Sequence, residues 1–387
     1  MTTATPTATG AWTPAGDLAP TATWDGQHDG AVLLATGAVL VAGGADATSA
    51  PLARAAVFDP ATGQWTVTGA LHTPRRLHTV TALADGRVLA AGGTSAGAQF
   101  PAPALAGAEI YDPASKAWTA AAAMHTARWG HSAARLPDGT VLVAGGTAVR
   151  SAQSLGALRS AERFDPATGA WTETAPMTDA RTGHLSLVLG NGQVLVVGGS
   201  VPTGHGDEAA LAFCELYDPA ADRWTPTGSL LVPRSRHQAV LLSPTSVLVT
   251  GGSPPGPADD ASFDPFSRAT AELYDQATGV WSAAAPMPSG RNRHRAVPLG
   301  GGRALVIGGA DGIRDGVGFA GALLYDGDHW APAGGLGVGR WGCAATALAD
   351  GRVLATGGVT RSGQATAGGA GVELTGTTEI FTLAVVP

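Results

Sequence analysis

Five segments of this chain carry the same Arg-x-x-His pair: Arg75/His78, Arg128/His131, Arg181/His184, Arg234/His237 and Arg291/His294. Two further segments depart from it, one with Arg340 and Cys343, the other with Asp25 and His28. Imidazoles and guanidiniums gathered at one level can move protons, hold an anion or ligate a metal. A Cys between two His-bearing segments can be a ligand, a nucleophile activated by His, or a small buried hydrophobe. A metal takes only three or four ligands, so most of such a ring has to be structural, each His bonded to backbone next door. His28, His78 and His294 are the candidate ligands, and a divalent metal is the cofactor these residues suggest.

A Glu recurs as Glu109, Glu162, Glu215, Glu272 and Glu379, in the segments that also carry the Arg. The co-occurrence predicts a buried Arg–Glu pair in each, where either charge needs the other. Arg291 breaks the rule, because Leu323 stands where its Glu should be, and Ala56 stands there in the segment of Asp25. Of ten tryptophans, seven keep the repeat: Trp12, Trp65, Trp118, Trp171, Trp224, Trp281 and Trp330. The surplus three, Trp24, Trp129 and Trp341, fall just before the His or Cys position and suit a flat or apolar ligand, unless they only plug a channel.

The elements that must position these residues follow from the repeat. Gly-Gly pairs begin at Gly43, Gly92, Gly145, Gly198, Gly251, Gly308 and Gly357, 49 to 57 residues apart. Each ends a short β-rich run such as DGRVLAAGG. Six are followed by a run such as AERFDPATGAW, two strands on a tight Asp-led turn, with an aromatic on one and Trp on the other. The chain resembles the bacterial kelch-repeat family along essentially its whole length. That resemblance implies an all-β, seven-bladed kelch β-propeller with strands a to d in each blade and strand a lining a central channel. The seventh Gly-Gly is followed by TEIFT and no Trp, while Trp12 precedes Trp65 by 53 residues. Residues 10–14 should therefore complete the last blade and remove an open edge. The stretches 253–265 and 361–371 read as loops, and residues 1–387 as a single propeller.

Departures from the repeat concentrate in blades six, seven and one: Arg291, Asn292, Arg293 and His294; Trp341 and Cys343; Trp24, Asp25, Gln27, His28 and Asp29. On this reading His28 and His294 are acid–base groups or metal ligands, Asp25 orients an imidazole, and Arg291 holds an anionic group. Cys343 is the candidate nucleophile or ligand. Trp24, Trp129, Trp341, Asn292 and His131 bind the substrate. His205, Asp207, Glu208, Asp259, Asp260, Asp311, Arg314 and Asp315 lie in loops that overhang the mouth. His72 and His125 sit on exposed d-to-a turns, and His329 on the opposite face.

Composition limits the rest. With 23 basic and 30 acidic residues and no basic stripe, neither a nucleic-acid backbone nor a membrane surface is an expected partner. No secretory signal is visible at the start, and two cysteines make no disulfide framework, so a cytoplasmic monomer is expected. Galactose-oxidase-like enzymes also carry kelch repeats, but their radical copper site needs a Cys-linked Tyr. Tyr111, Tyr217, Tyr274 and Tyr325 all fall at the packing position of strand c. The expected activity is acid–base or metal-assisted chemistry of lyase, cyclase or isomerase type at the mouth, on an aromatic or apolar small molecule. The alternative is a protein-interaction scaffold without catalysis.

Overall fold

The computed structural model describes residues 10–24, 30–97, 101–151, 154–204, 207–253, 267–311, 316–367 and 371–384. Seven four-stranded antiparallel sheets form the blades of a propeller. The second strand of each blade, such as Val88–Ala91 or Val194–Val197, is buried on both faces and is a run of Val, Leu and Ala. Three blades add a hairpin above the b-to-c connection: Thr147–Ser151 with Ser154–Ala157, Ser200–Gly204 with Asp207–Ala210, and Val359–Ser362 with Val372–Leu374.

The ring closes as the spacing predicts. Gly10–Ala15 pairs with Thr378–Leu383, and the last sheet runs from it through Val353–Thr356 to Ala344–Ala347. In every blade the outer Trp lies across from the strand-c aromatic, with ring centroids 4.9 to 5.3 Å apart. These tilted pairs fill the wedge between blades, and all four tyrosines are used in them.

The Gly-Gly pairs serve close approach between blades. Gly43 has φ +65°, and a Cβ there would lie 2.5 Å from the ring of His78 in the next blade. Only glycine meets both demands. The repeated His packs over the first glycine of the preceding blade, and three of the rings are bonded to a hydroxyl there: His131 Nε2 to Thr79 Oγ1 at 3.1 Å, His184 Nε2 to Ser132 Oγ at 2.8 Å, and His294 Nε2 to Thr250 Oγ1 at 2.8 Å.

The repeated Arg and Glu pair as expected: Arg75–Glu109, Arg128–Glu162, Arg181–Glu215, Arg234–Glu272 and Arg340–Glu379, at 2.5 to 3.1 Å and all buried. Each pair also ties its blade to the turn entering it. Glu162 accepts bonds from the amides of His125 (2.7 Å) and Thr126 (3.0 Å), while Arg128 donates to the carbonyls of Gly145 and Ser160. Burial works against the charge of Glu162, but the two amides and the guanidinium outweigh it and hold the carboxyl below its ordinary range. Replacing Glu162 with Ala would strand a buried cation and three donors. The expected loss is about 3–5 kcal/mol in urea unfolding. A loss below about 1 kcal/mol would show that the guanidinium does not depend on its carboxylate.

Candidate functional site

The mouth of the channel is framed by the residue two places after each repeated Arg. Leu77, Gly130, Gly183, Arg236, Arg293 and Gly342 occupy this place, all left-handed with φ between 52° and 62°. Their backbones link blade to blade: Gly130 N donates to Leu77 O, Gly183 N to Gly130 O, Arg293 N to Arg236 O, and Gly342 N to Arg293 O. Trp24 N donates to Gly342 O and continues the collar into blade one. Left-handed backbone costs a non-glycine residue about 1–2 kcal/mol. Glycine is the natural choice here, and three blades make it. Arg236 and Arg293, in neighbouring blades, are therefore side chains kept against backbone preference.

Inside the collar is a cavity of about 240 Å³, with Arg76, Arg236, Arg293, Arg295, Trp129 and Glu208 among its lining residues. Arg76 is braced by the carbonyls of Ala96 (3.2 Å) and Gly97 (2.5 Å). Arg295 donates to the carbonyls of Cys343 (2.5 Å) and Trp24 (3.1 Å), so it latches blade six to blades seven and one. Glu208 comes from the blade-four hairpin, accepts a bond from Ser200 Oγ at 3.0 Å, and lies 3.8 Å from the Arg236 guanidinium. Both partners of that ion pair keep about a third of their side-chain surface exposed, 31% and 35%. The described lining thus carries four guanidiniums against one carboxylate, with the indole of Trp129 beside them, partly open and held by a bond to Ala102 O. A second cavity of about 350 Å³ has His131, His184, Ser132, Ser186, Gln238 and Arg295 on its wall.

Most of the expected site residues are elsewhere. Asp25, Gln27, His28 and Asp29 lie outside the described residues, as do His205, Asp259, Asp260, Arg314 and Asp315. The alignment of Asp25 with the repeated Arg is nevertheless corrected. Gly358 N bonds to Ala22 O as Gly44 N bonds to Arg75 O, and Thr23 bridges to Ala45 as Arg76 bridges to Thr94. Ala22 therefore holds the Arg position. Ala22 to the strand residue Ala31 is nine positions where Arg75 to Val80 is five, so blade one carries a four-residue insertion.

Arg291 does not face a substrate. It is 3% exposed, donates to Gly308 O, Gly321 O and Ser289 Oγ, and stacks on Phe319 at 5.1 Å. His294 is fully buried, with Nε2 bonded to Thr250 Oγ1 at 2.8 Å. Desolvation, then the nearby Arg291, push its pKa well below 6.5, so it stays neutral and away from the mouth. His78 is likewise buried under blade one; it and His294 occupy separate interblade slots and do not converge as metal ligands. His131 lines the second cavity rather than the mouth.

Cys343 is buried, and desolvation pushes its thiol pKa up, the opposite of an activated nucleophile. Asn292 is 1% exposed and bonded to Ser267 Oγ, outside the cavity wall. Trp24 and Trp341 are core: Trp24 packs with Leu18, Ala22, Val41 and Ala344, and Trp341 with Ala310 and Val359. Trp129 is the partly open tryptophan of the mouth; Trp24 also lines the cavity though it is almost wholly buried, and Trp341 is not among the lining residues. Missed by sequence reasoning were Arg76, Arg236 and Arg295. For Arg236 the available signal was Arg at a place where three other blades have glycine; Arg76 and Arg295 lie outside that place.

The profile of the Kelch motif matches residues 128–178, one full repeat from Arg128 onward. The chain is a seven-bladed β-propeller that carries a Kelch motif. Kelch-like protein 34 of Homo sapiens is 32% identical over 194 residues, which is 50% of this chain and 28% of that protein. Kelch-like protein 36 of Rattus norvegicus is 27% identical over 262 residues, 67% of this chain and 39% of that protein. The chain therefore spans well under half the length of these curated relatives. Among solved structures, a fungal alcohol oxidase of the AA5 family in complex with copper superposes with a TM-score of 0.71 at 20% identity, covering 97% of this chain and 76% of that one. The structure of YjhT matches with a TM-score of 0.58 at 18% identity, over 80% of this chain and 98% of that one. At such identities the likeness is one of fold.

Proposed function

We propose that this kelch propeller binds a small organic anion, a carboxylate with a flat or apolar part, in the cavity at its channel mouth. The observation that carries this is the pair Arg236 and Arg293. Both are held left-handed where other blades use glycine, and both line the same cavity as Arg76 and Arg295. Guanidiniums meet carboxylates through two parallel hydrogen bonds, and Trp129 offers an apolar face beside them. The ligand differs from the apolar substrate expected from sequence, because the tryptophans are mostly core and the arginines line the cavity.

Glu208 gives the reading its enzymatic form. It is the carboxylate among the described lining residues, about a third exposed and steadied by Ser200, and so positioned to take or return a proton on a bound substrate. Acid–base chemistry then runs through Glu208 rather than a histidine of the buried ring. A scaffold for protein partners would be expected to place its unusual residues on an outer rim, whereas here they point into a cavity of small-molecule size.

The test is a panel of aryl carboxylates and their neutral amides, read by quenching of tryptophan fluorescence. Carboxylates should bind and amides should not. Arg236→Gly should weaken binding roughly 10- to 100-fold, the worth of a charge-assisted bond, without lowering Tm, because glycine suits the left-handed backbone. Equal binding of acids and amides, or an unchanged affinity in Arg236→Gly, overturns the assignment.

A further inference from the structure

The collar of backbone bonds around the mouth is not continuous. Five of its seven junctions are linked, and two are not. Between blades one and two the Trp24 carbonyl accepts Arg295 instead. Between blades four and five nothing takes the place of the link. Gly183 O and Arg236 N, the groups that would meet there, make no hydrogen bond among the described residues. Ser235 departs in the same way. At the matching place in blades four and one, Thr182 and Thr23 donate through Oγ1 to the collar carbonyls of Gly130 and Gly342, each at 3.2 Å. Ser235 makes no such bond to Gly183.

The interruption is a space and not only a poor angle. A Cβ on Gly130 would lie 2.8 Å from Thr182 Oγ1 and 4.0 Å from Gly183 N, whereas one on Gly183 would meet nothing within 4 Å. Blades four and five also stand slightly apart at their paired glycines. The bond from Gly199 N to Arg234 O is 3.2 Å, against 2.8 to 3.0 Å at the six matching junctions. A Cβ on Gly198 would have its nearest neighbour at 2.9 Å, against 2.2 to 2.7 Å for the first glycine of the other pairs. The opening belongs to the mouth cavity, since Gly183, Ser235 and Arg236 all line it, with Ser200 and Glu208 beside them.

An amide, a carbonyl and a hydroxyl are thus left for whatever occupies the cavity, and such groups are rarely left unmatched. A hydroxyl group answers the first two together: its oxygen accepts from Arg236 N–H and its proton goes to Gly183 O. An ammonium has no lone pair to accept with, and an ether has no proton to give. We infer that the bound anion is a hydroxycarboxylate, whose hydroxyl bridges Gly183 O and Arg236 N and completes the collar between blades four and five. This rests on the carboxylate reading above and narrows its ligand class.

The experiment is calorimetric titration of the full chain with phenylacetate and with two of its hydroxylated forms, mandelate and 3-hydroxy-2-phenylpropanoate. One of the hydroxy acids should bind about tenfold tighter than phenylacetate, the net effect of two neutral hydrogen bonds. Its methyl ether, which accepts but cannot donate, should lose that gain. Gly183→Ala should remove the preference as well, because the added methyl enters the opening. The left-handed backbone of the collar admits a side chain, as Leu77, Arg236 and Arg293 show. Phenylacetate binding with no gain from either hydroxyl overturns the inference and leaves the carboxylate reading standing. A gain that survives methylation or Gly183→Ala has the same consequence. Failure of all three acids to bind overturns both.

Discussion

Deleting residues 1–15 is expected to give a protein that is insoluble or melts far below the full chain. The lost strand, Gly10–Ala15, pairs at six positions with Thr378–Leu383 and supplies the outer edge of blade seven. Its Trp12 packs against Phe381 with centroids 5.3 Å apart and donates to the carbonyl of Ala333 in blade six. The residues that follow it reach blade one, where Gly16 N bonds to Gly63 O. One short segment therefore holds three blades, and without it Thr378–Leu383 is an unpaired edge open to aggregation. Trp12→Ala alone should cost about 3 kcal/mol, the lower end for a large aromatic, since its ring is only part-buried. A synthetic peptide of residues 1–15 should restore solubility to the truncated chain by strand addition. A truncated protein with the full melting temperature would refute closure by the N-terminal strand.

The second large effect is with pH. His78, His131 and His294 are buried, and desolvation followed by the neighbouring arginines lowers their pKa, to about 3 for His131 and well below 6.5 for the other two. In the unfolded chain each titrates near 6.5. Above that value the shift costs nothing, because the imidazoles are neutral in both states. Below it the unfolded state takes protons that the native state refuses, so stability is lost as pH falls. For His131 this is worth about 1.4 kcal/mol per pH unit, or about 2 kcal/mol at pH 5, and His78 and His294 act in the same direction. The urea midpoint should therefore be flat from pH 8 to 7 and fall steeply between 6.5 and 5, before the carboxylates titrate. A midpoint unchanged at pH 5 would mean that the ring can be charged in place. His131→Gln should make the slope shallower without abolishing it, since only its own titration is deleted.

These two outcomes rest on features that were legible in the sequence. The blade count, the closing strand, the Trp–aromatic pairs and the Arg–Glu pairs all recur, and recurrence identifies them because every blade solves the same local problem with the same residues. Arg75 and Glu109 are matched in five blades and missing together in one, so even a contact between strands far apart could be inferred from co-occurrence. The candidate site was less legible. Reading exceptions as functional found Arg293 among the departures but chose Arg291, Cys343 and two tryptophans that prove to be buried. A departure from the repeat marks a changed environment, and in blades six, seven and one that change is largely apolar repacking.

The order of strands, their number and their mode of closure were thus set by sequence alone, since hydrophobic period, turn residues and repeated partners act locally and in every copy. Which exceptional side chains meet in the mouth was decided only by tertiary structure. The direction of a side chain at the collar depends on a left-handed backbone at Arg236 and Arg293. A four-residue insertion moves blade one out of register with the others, and the burial of Trp24 and Trp341 depends on neighbouring blades. No single repeat contains that information, because it arises where seven different copies face one another across a channel.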